Sequence, residues 1–324
     1  MLTEMNLTKK TIIITGGNSG LGYATAKHIA EADKNTYVVL ACRNAAKARE
    51  AVSSLIKATK NNNITSLELD LASLESIRNF ANKFSNSDYP PLYAIVCNAG
   101  LVMIDKTHYT KDGFEFTFGV NHLGHFLLSN LLLEKIIDSG RIVFVSSGTH
   151  DPLQKTPAPE PIYENGKLLA YPKEIGQKEK MFTVGTRRYS TSKLCNIYCT
   201  YELAERIREQ TNKNITVNAF DPGEMPATNF VTGAPPVLKF FKTYILPITI
   251  LFRPNVNTAN KSGKALASLV TNPELKETTG KYFQGTREIK SSELSYNKEN
   301  RKDLWRASVE LTKLSEAETI LNLD

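Results

Sequence analysis

A short apolar strand running straight into a glycine-rich turn and then a helix constrains this chain more than any other feature. Ile12, Ile13 and Ile14 supply the strand, Gly16, Gly17, Gly20 and Gly22 the turn, and residues 20–32 carry helical spacing. A continuous apolar strand is buried on both faces, as in a parallel sheet covered by helices. The unit recurs. Strands are predicted over 11–15, 37–42, 64–69, 93–97, 141–146, 215–220 and 281–284. Helices are predicted over 20–32, 45–58, 74–84 and 188–210, with one or two more inside the apolar stretch 114–137. This β-α-β rhythm predicts an α/β fold, a doubly wound parallel sheet of Rossmann type, in a single domain over 1–324.

Two segments break the rhythm. Residues 150–186 are rich in Pro, Lys and Glu, have weak periodicity, and are predicted as an insertion loop before Tyr189. Residues 229–258 contain a strongly apolar run, 237–252, interrupted by Pro247 and flanked by Lys239, Lys242 and Arg253. Its composition fits an amphipathic lid over a hydrophobic substrate, a core helix, or a helix lying on anionic lipid. The lid is the reading taken forward.

The 324 residues, 41% of them hydrophobic, suit a globular protein. No run reaches the ~18 apolar residues of a spanning helix, and the first apolar run is too short for a signal peptide. The formal charge of +7 is scattered along helices beside Glu and Asp, without an aromatic-interleaved tract. That argues against nucleic acid and for an anionic cofactor or an anionic membrane surface as its partner. Cys42, Cys97, Cys195 and Cys199 form no CxxC pair, so reduced thiols and a cytoplasmic location are expected. Cys195 and Cys199 share a helical face but have no further ligands at zinc-site spacing, and no metal site is expected.

The glycine turn has the chemistry of a dinucleotide site. Glycines allow a tight turn and close backbone approach to a pyrophosphate, and the helix start presents free N–H groups to the anion. The candidate cofactor contacts there are Gly16, Asn18, Ser19, Gly20, Leu21 and Gly22. The second strand ends at Cys42-Arg43-Asn44, with no acid for a ribose hydroxyl. Arg43, with Lys47 one turn on, points to a 2′-phosphate and hence to NADPH. Asp70 and Leu71, and then Asn98, Ala99 and Gly100, follow the next two strands and belong on the same carboxyl edge.

Tyr189 and Lys193 are spaced i and i+4 and share a helical face. An ammonium beside a phenol favours phenolate, so Lys193 is expected to lower a pKa that starts near ~10. Such a tyrosine exchanges protons with an alcohol or carbonyl oxygen. Ser147, at the end of a strand on the same edge, can bond the reacting oxygen. Asn121, in an apolar helical stretch, needs buried partners, and a water linking it to Lys193 would serve. His122 and His125 read as packing or surface residues rather than ligands, and Trp305 as a packing anchor.

Together these residues resemble the short-chain dehydrogenase/reductase family, over nearly the whole chain. The match runs through the glycine turn, Asp70-Leu71, Asn98-Ala99-Gly100, Asn121, Ser147, Tyr189 and Lys193, and Asp221-Pro222-Gly223 with Thr228. The resemblance implies that Asn121, Ser147, Tyr189 and Lys193 carry hydride-coupled proton transfer. It also implies that Lys193 holds the nicotinamide ribose and that Pro222, Gly223 and Thr228 line the nicotinamide pocket. Within the family, the runs 69–78, 109–115, 121–128 and 192–196 are similar to light-dependent protochlorophyllide reductases, and retinol-dehydrogenase-like enzymes share several of them. The pigment enzymes carry Cys after the Pro-Gly turn where this chain has Glu224, and commonly Ala where it has Gly100. Expected, then, is an NADPH-dependent oxidoreductase acting on a carbonyl or alcohol of a small hydrophobic substrate. The alternatives are light-dependent protochlorophyllide reduction and a non-catalytic nucleotide sensor. Peripheral membrane contact and a homo-oligomer remain open partners.

Overall fold

The computed structural model describes residues 9–173, 179–225, 231–232 and 257–324, with only the backbone of 231–232. Among these, eight strands form one sheet in the order β10-β9-β7-β6-β4-β1-β2-β3. The strands are β1 (Lys10–Thr15), β2 (Thr36–Cys42), β3 (Ile64–Glu68), β4 (Leu92–Cys97), β6 (Ile136–Val145), β7 (Thr216–Asp221), β9 (Lys281–Gln284) and β10 (Arg287–Ile289). All pair in parallel except β10, which is antiparallel to β9. Two-residue strands β5 (Val102–Met103) and β8 (Val231–Thr232) pair separately.

The helices are α1 (Gly20–Ala32), α2 (Ala45–Thr59), α3 (Leu74–Ser85), α4 (Phe116–Phe118), α5 (Gly124–Leu132), α6 (Gly166–Ala170), α7 (Met181–Gln210), α8 (Ala259–Thr271) and α9 (Lys298–Thr312). Each side of the sheet has its own core. Ile12 and Ile14 of β1 pack with Leu21, Ala26 and Ile29 of α1, Leu55 of α2 and Leu266 of α8. Ile13 faces the other way, with Phe80 of α3, Leu127 of α5 and Leu203 of α7. Alternate residues of one apolar run thus feed opposite cores, which is why the strand reads as continuously apolar.

The apolar stretch 114–137 is α4, a π turn (Gly119–Leu123), α5 and a 3-10 turn, and β6 already starts at Ile136. The insertion is not structureless either: it holds α6, and α7 begins at Met181 rather than at 188. The extra turns lie against β5, where a side chain at Gly185 would collide with the Met103 carbonyl. The apolar run 237–252 lies outside the described residues.

Candidate active site

Strand order reverses direction between β1 and β4, and the crevice beyond their carboxyl ends is where ligands bind in such sheets. The sequence-predicted residues that the structure describes lie along this edge. Gly16 and Gly20 have φ of 65° and 55°, a region closed to most side chains. A methyl on Gly22 would lie 2.6 Å from the Gly16 carbonyl oxygen and from Asn98 Nδ2. Ser19 precedes α1 with an extended backbone and makes no side-chain cap, and the first turn carries no acid. The start of α1 therefore keeps its N–H groups and positive end for an anion. The Cys42 thiol receives backbone N–H groups of Gly16, Gly17 and Asn18, which brings the end of β2 to this turn. Arg43 follows it, exposed.

Thr15 ties the turn to β4. Its hydroxyl accepts from the N–H groups of Asn98 and Ala99, both at 2.9 Å, and Asn98 Nδ2 donates to the Thr15 carbonyl at 2.7 Å. This cradle of bare backbone, fixed glycines and unclaimed N–H groups fits the pyrophosphate of a dinucleotide. Asp70 accepts from Ala72 N–H at 3.1 Å and lies 3.6 Å from Lys111 Nζ, while Leu71 is buried. Both follow β3, on the same edge.

The candidate catalytic residues Asn121, Tyr189 and Lys193 stand beside this cradle. A methyl built on Gly100 would lie 3.3 Å from Lys193 Nζ and 3.5 Å from Asn121 Oδ1, so both converge there. Lys193 is buried, donates to the Val145 carbonyl at 3.0 Å, and sits over the Tyr189 ring at 5.3 Å from its centroid. The Ser147 side chain adjoins the Tyr189 phenol and acts on it.

The expected electrostatics are corrected here. Burial raises the Tyr189 phenol well above its ordinary value, Ser147 pulls it down, and the Asp221 carboxylate pushes it up. Burial lowers Lys193 to about 8, against the opposing pull of Asp221. Tyr189 as a residue keeps partial contact with solvent. The phenol is thus kept as an acid, and Lys193 as a donor poised near neutrality.

Asn121 lies in the π turn, a feature frequent at functional sites. Its carboxamide accepts from Leu101 N–H at 2.9 Å and donates to the Leu101 carbonyl and Ser192 Oγ, both at 3.0 Å. These bonds engage both ends of the carboxamide. Gly223, with φ 75°, donates to Asp221 Oδ1 at 2.9 Å, and the Pro222 carbonyl accepts from Ser262 Oγ at 2.7 Å. Thr228 lies outside the described residues.

Several supporting residues escaped the sequence. His150 Nδ1 donates to the Ser147 carbonyl at 2.7 Å and its Nε2 accepts from Ser292 N–H at 3.0 Å. The backbone of Ser147 is thereby pinned to the C-terminal region. Ser192 joins Asn121 to the Tyr189 carbonyl at 2.7 Å. Thr15 and Asp221 belong to this group too. The only sequence signal was a polar residue at a strand end or within an apolar helix, which names no partner. Among the described residues no three His, Cys, Asp or Glu side chains could hold a metal, and no helix is long and apolar enough to cross a membrane.

Residues 10–158 match the sequence model of the short chain dehydrogenase family. The human polyprenol dehydrogenase is 32% identical over 94% of this chain and 85% of its own length. The chloroplastic protochlorophyllide reductase of Daucus carota is 33% identical, over 96% and 80%. A blue fluorescent protein from a metagenomic library, solved in complex with NADPH, superposes with a TM-score of 0.61 over 87% of this chain and 99% of that one, at 19% identity.

Proposed function

This chain belongs to the short-chain dehydrogenase family of oxidoreductases, and from that premise we propose that it is an NADPH-dependent enzyme acting on a carbonyl or alcohol of a hydrophobic small molecule. The observation that carries the reading is the convergence of Lys193 with the Tyr189 ring and with Asn121 beside the glycine cradle, with Ser147 adjoining the phenol. A nucleotide sensor needs the cradle but not a buried lysine beneath a phenol that a serine adjoins.

Gly16, Asn18, Ser19, Gly20, Leu21 and Gly22 hold the pyrophosphate, and Lys193 the nicotinamide ribose. Asn98, Ala99, Gly100, Asp70 and Leu71 border the nucleoside, and Pro222, Gly223 and Thr228 border the nicotinamide. Exposed Arg43 at the end of β2, with Lys47 in the first turn of α2, selects a 2′-phosphate. The nicotinamide supplies or accepts the hydride. Everything else is done by the chain. In reduction, Ser147 donates a hydrogen bond to the carbonyl oxygen and keeps Tyr189 aimed at it. Tyr189 transfers its proton to that oxygen as the carbon receives hydride, so C=O becomes CH–OH. Lys193 then returns a proton to the phenolate. Four buried, unpaired thiols suit a reducing compartment such as the cytoplasm.

Carbon–carbon double-bond reduction is the second reading, favoured by the carrot relative's 33% identity. Against it, the position after the Pro-Gly turn holds the exposed carboxylate of Glu224 instead of a thiol. Nucleotide titration and turnover of Tyr189→Phe test the main reading together. NADPH should bind at least ~10-fold more tightly than NADH, and Tyr189→Phe should lose ~10²-fold or more in turnover with NADPH affinity kept. Equal binding of the two nucleotides, or undiminished turnover without the phenol, overturns it.

A further inference from the structure

His125 sits fully buried at the start of α5, two residues past the π turn that carries Asn121. Its Nδ1 is 3.1 Å from the main-chain carbonyl oxygen of Asn121 and its Nε2 is 2.8 Å from Thr15 Oγ1. A carbonyl oxygen only accepts, so Nδ1 carries the proton. The ring is neutral, since burial lowers its pKa to about 4. Nε2 is then the acceptor, and the Thr15 hydroxyl donates to it. The Val96 carbonyl competes for the same proton from 3.3 Å, but giving it that proton would strand Nε2 without a donor.

One directional chain results. The N–H groups of Asn98 and Ala99 donate to Thr15 Oγ1, the Thr15 hydroxyl donates to His125, and His125 donates to Asn121. It joins the last residue before the glycine turn to the backbone of the π turn, elements 110 residues apart in sequence. Every link has a fixed polarity, so no link can reverse without leaving a buried polar group unpaired.

We propose that His125 is a positioning residue that sets the cofactor cradle and the Asn121 backbone in one register, so that nucleotide seating and proton transfer are aligned by a single hydrogen-bonded strut. It rests on the reading of the site as an NADPH enzyme. The strut has two separable ends. An Asn on this helix can reach the carbonyl four residues back, as Asn130 does to Phe126 at 2.8 Å. His125→Asn therefore keeps the Asn121 end and loses the Thr15 end, His125→Phe loses both, and Thr15→Val cuts the chain from the other side while Thr15→Ser preserves it.

The test measures NADPH affinity by fluorescence titration, turnover, and hydrogen exchange of the Asn98 and Ala99 amides. His125→Asn and Thr15→Val should each weaken NADPH binding about 5-fold or more and speed exchange at both amides. His125→Phe should add a turnover loss of about 10-fold or more. Thr15→Ser should restore affinity and protection. The Thr15→Val/His125→Asn double variant should bind no worse than the weaker single one, because both cut the same link. Additive losses in the double variant, or unchanged affinity and exchange in both single variants, overturn the strut. If His125→Phe does not fold, the Thr15 pair and the double variant decide alone. A wild-type protein that binds no NADPH sinks the enzyme reading instead, which keeps the two failures apart.

Discussion

At the scale of single residues, the site depends on polar groups whose charge state is fixed by burial. His122 and His125 are fully enclosed, and burial lowers them to about 3 and about 4. His150 is lowered by the same cause. Their folded pKa values lie below the unfolded value near ~6.5, so the folded state resists the proton. The stability they confer is complete above that pH and is lost as pH falls through it. For His122 and His125 the loss should reach about 2 kcal/mol each by pH 5. Denaturant midpoints at pH 7 and pH 5 check it: the acid value should be clearly lower, and equal midpoints contradict neutral burial. The Tyr189/Lys193 pair and the glycine turn were legible because their chemistry is local, an i,i+4 spacing and a run of turn residues. Thr15, Ser192, His125 and His150 were not. Their partners are supplied by distant elements, and a polar residue in an apolar helix looks the same whether it packs or positions.

At the scale of elements, α7 carries the site and must be held still. Its inner face supplies Tyr189, Ser192 and Lys193, and its later turns are clamped to α9. Glu202 bonds both Arg206 (3.0 Å) and Arg301 (3.2 Å), and Arg206 lies over the Trp305 ring at 4.4 Å. Trp305 meets Phe126 of α5 edge-on at 5.0 Å and is buried, as the sequence led one to expect of a packing anchor. One side chain thus ties α9 to the helices bearing Asn121 and Lys193. Trp305→Ala should cost about 3–5 kcal/mol of unfolding free energy, read from urea denaturation, and a loss under about 1 kcal/mol would deny it the anchoring role. The sequence located the seven parallel strands and the helices α1, α2 and α3, because burial on both faces of a parallel sheet writes a continuous apolar run, but it did not predict α8, which packs on α1. It missed β5 and β8, which are too short to have a period. It also missed the early start of α7, where polar turns and Gly185 disguise a helix that packs on β5.

At the scale of the whole molecule, the sheet order brings residues far apart in the chain to one edge. The glycine turn follows β1, Asn98–Gly100 follow β4, Ser147 follows β6, and Pro222 follows β7. The doubly wound order was readable from the alternation of elements, since right-handed crossovers leave few topologies. The antiparallel β10 was not, because a short hairpin after β9 is a choice of turn rather than of pattern. The central claim is that this edge joins a hydride carrier to a phenolic acid. It is tested most directly by supplying NADPH deuterated at nicotinamide C4 with a panel of apolar aldehydes and ketones, in darkness, and locating the label in the products. The account predicts deuterium on the carbinol carbon with wild-type protein, and its loss in Tyr189→Phe while NADPH still binds. Label appearing only under illumination, on a reduced carbon–carbon double bond, or in no product at all would contradict it.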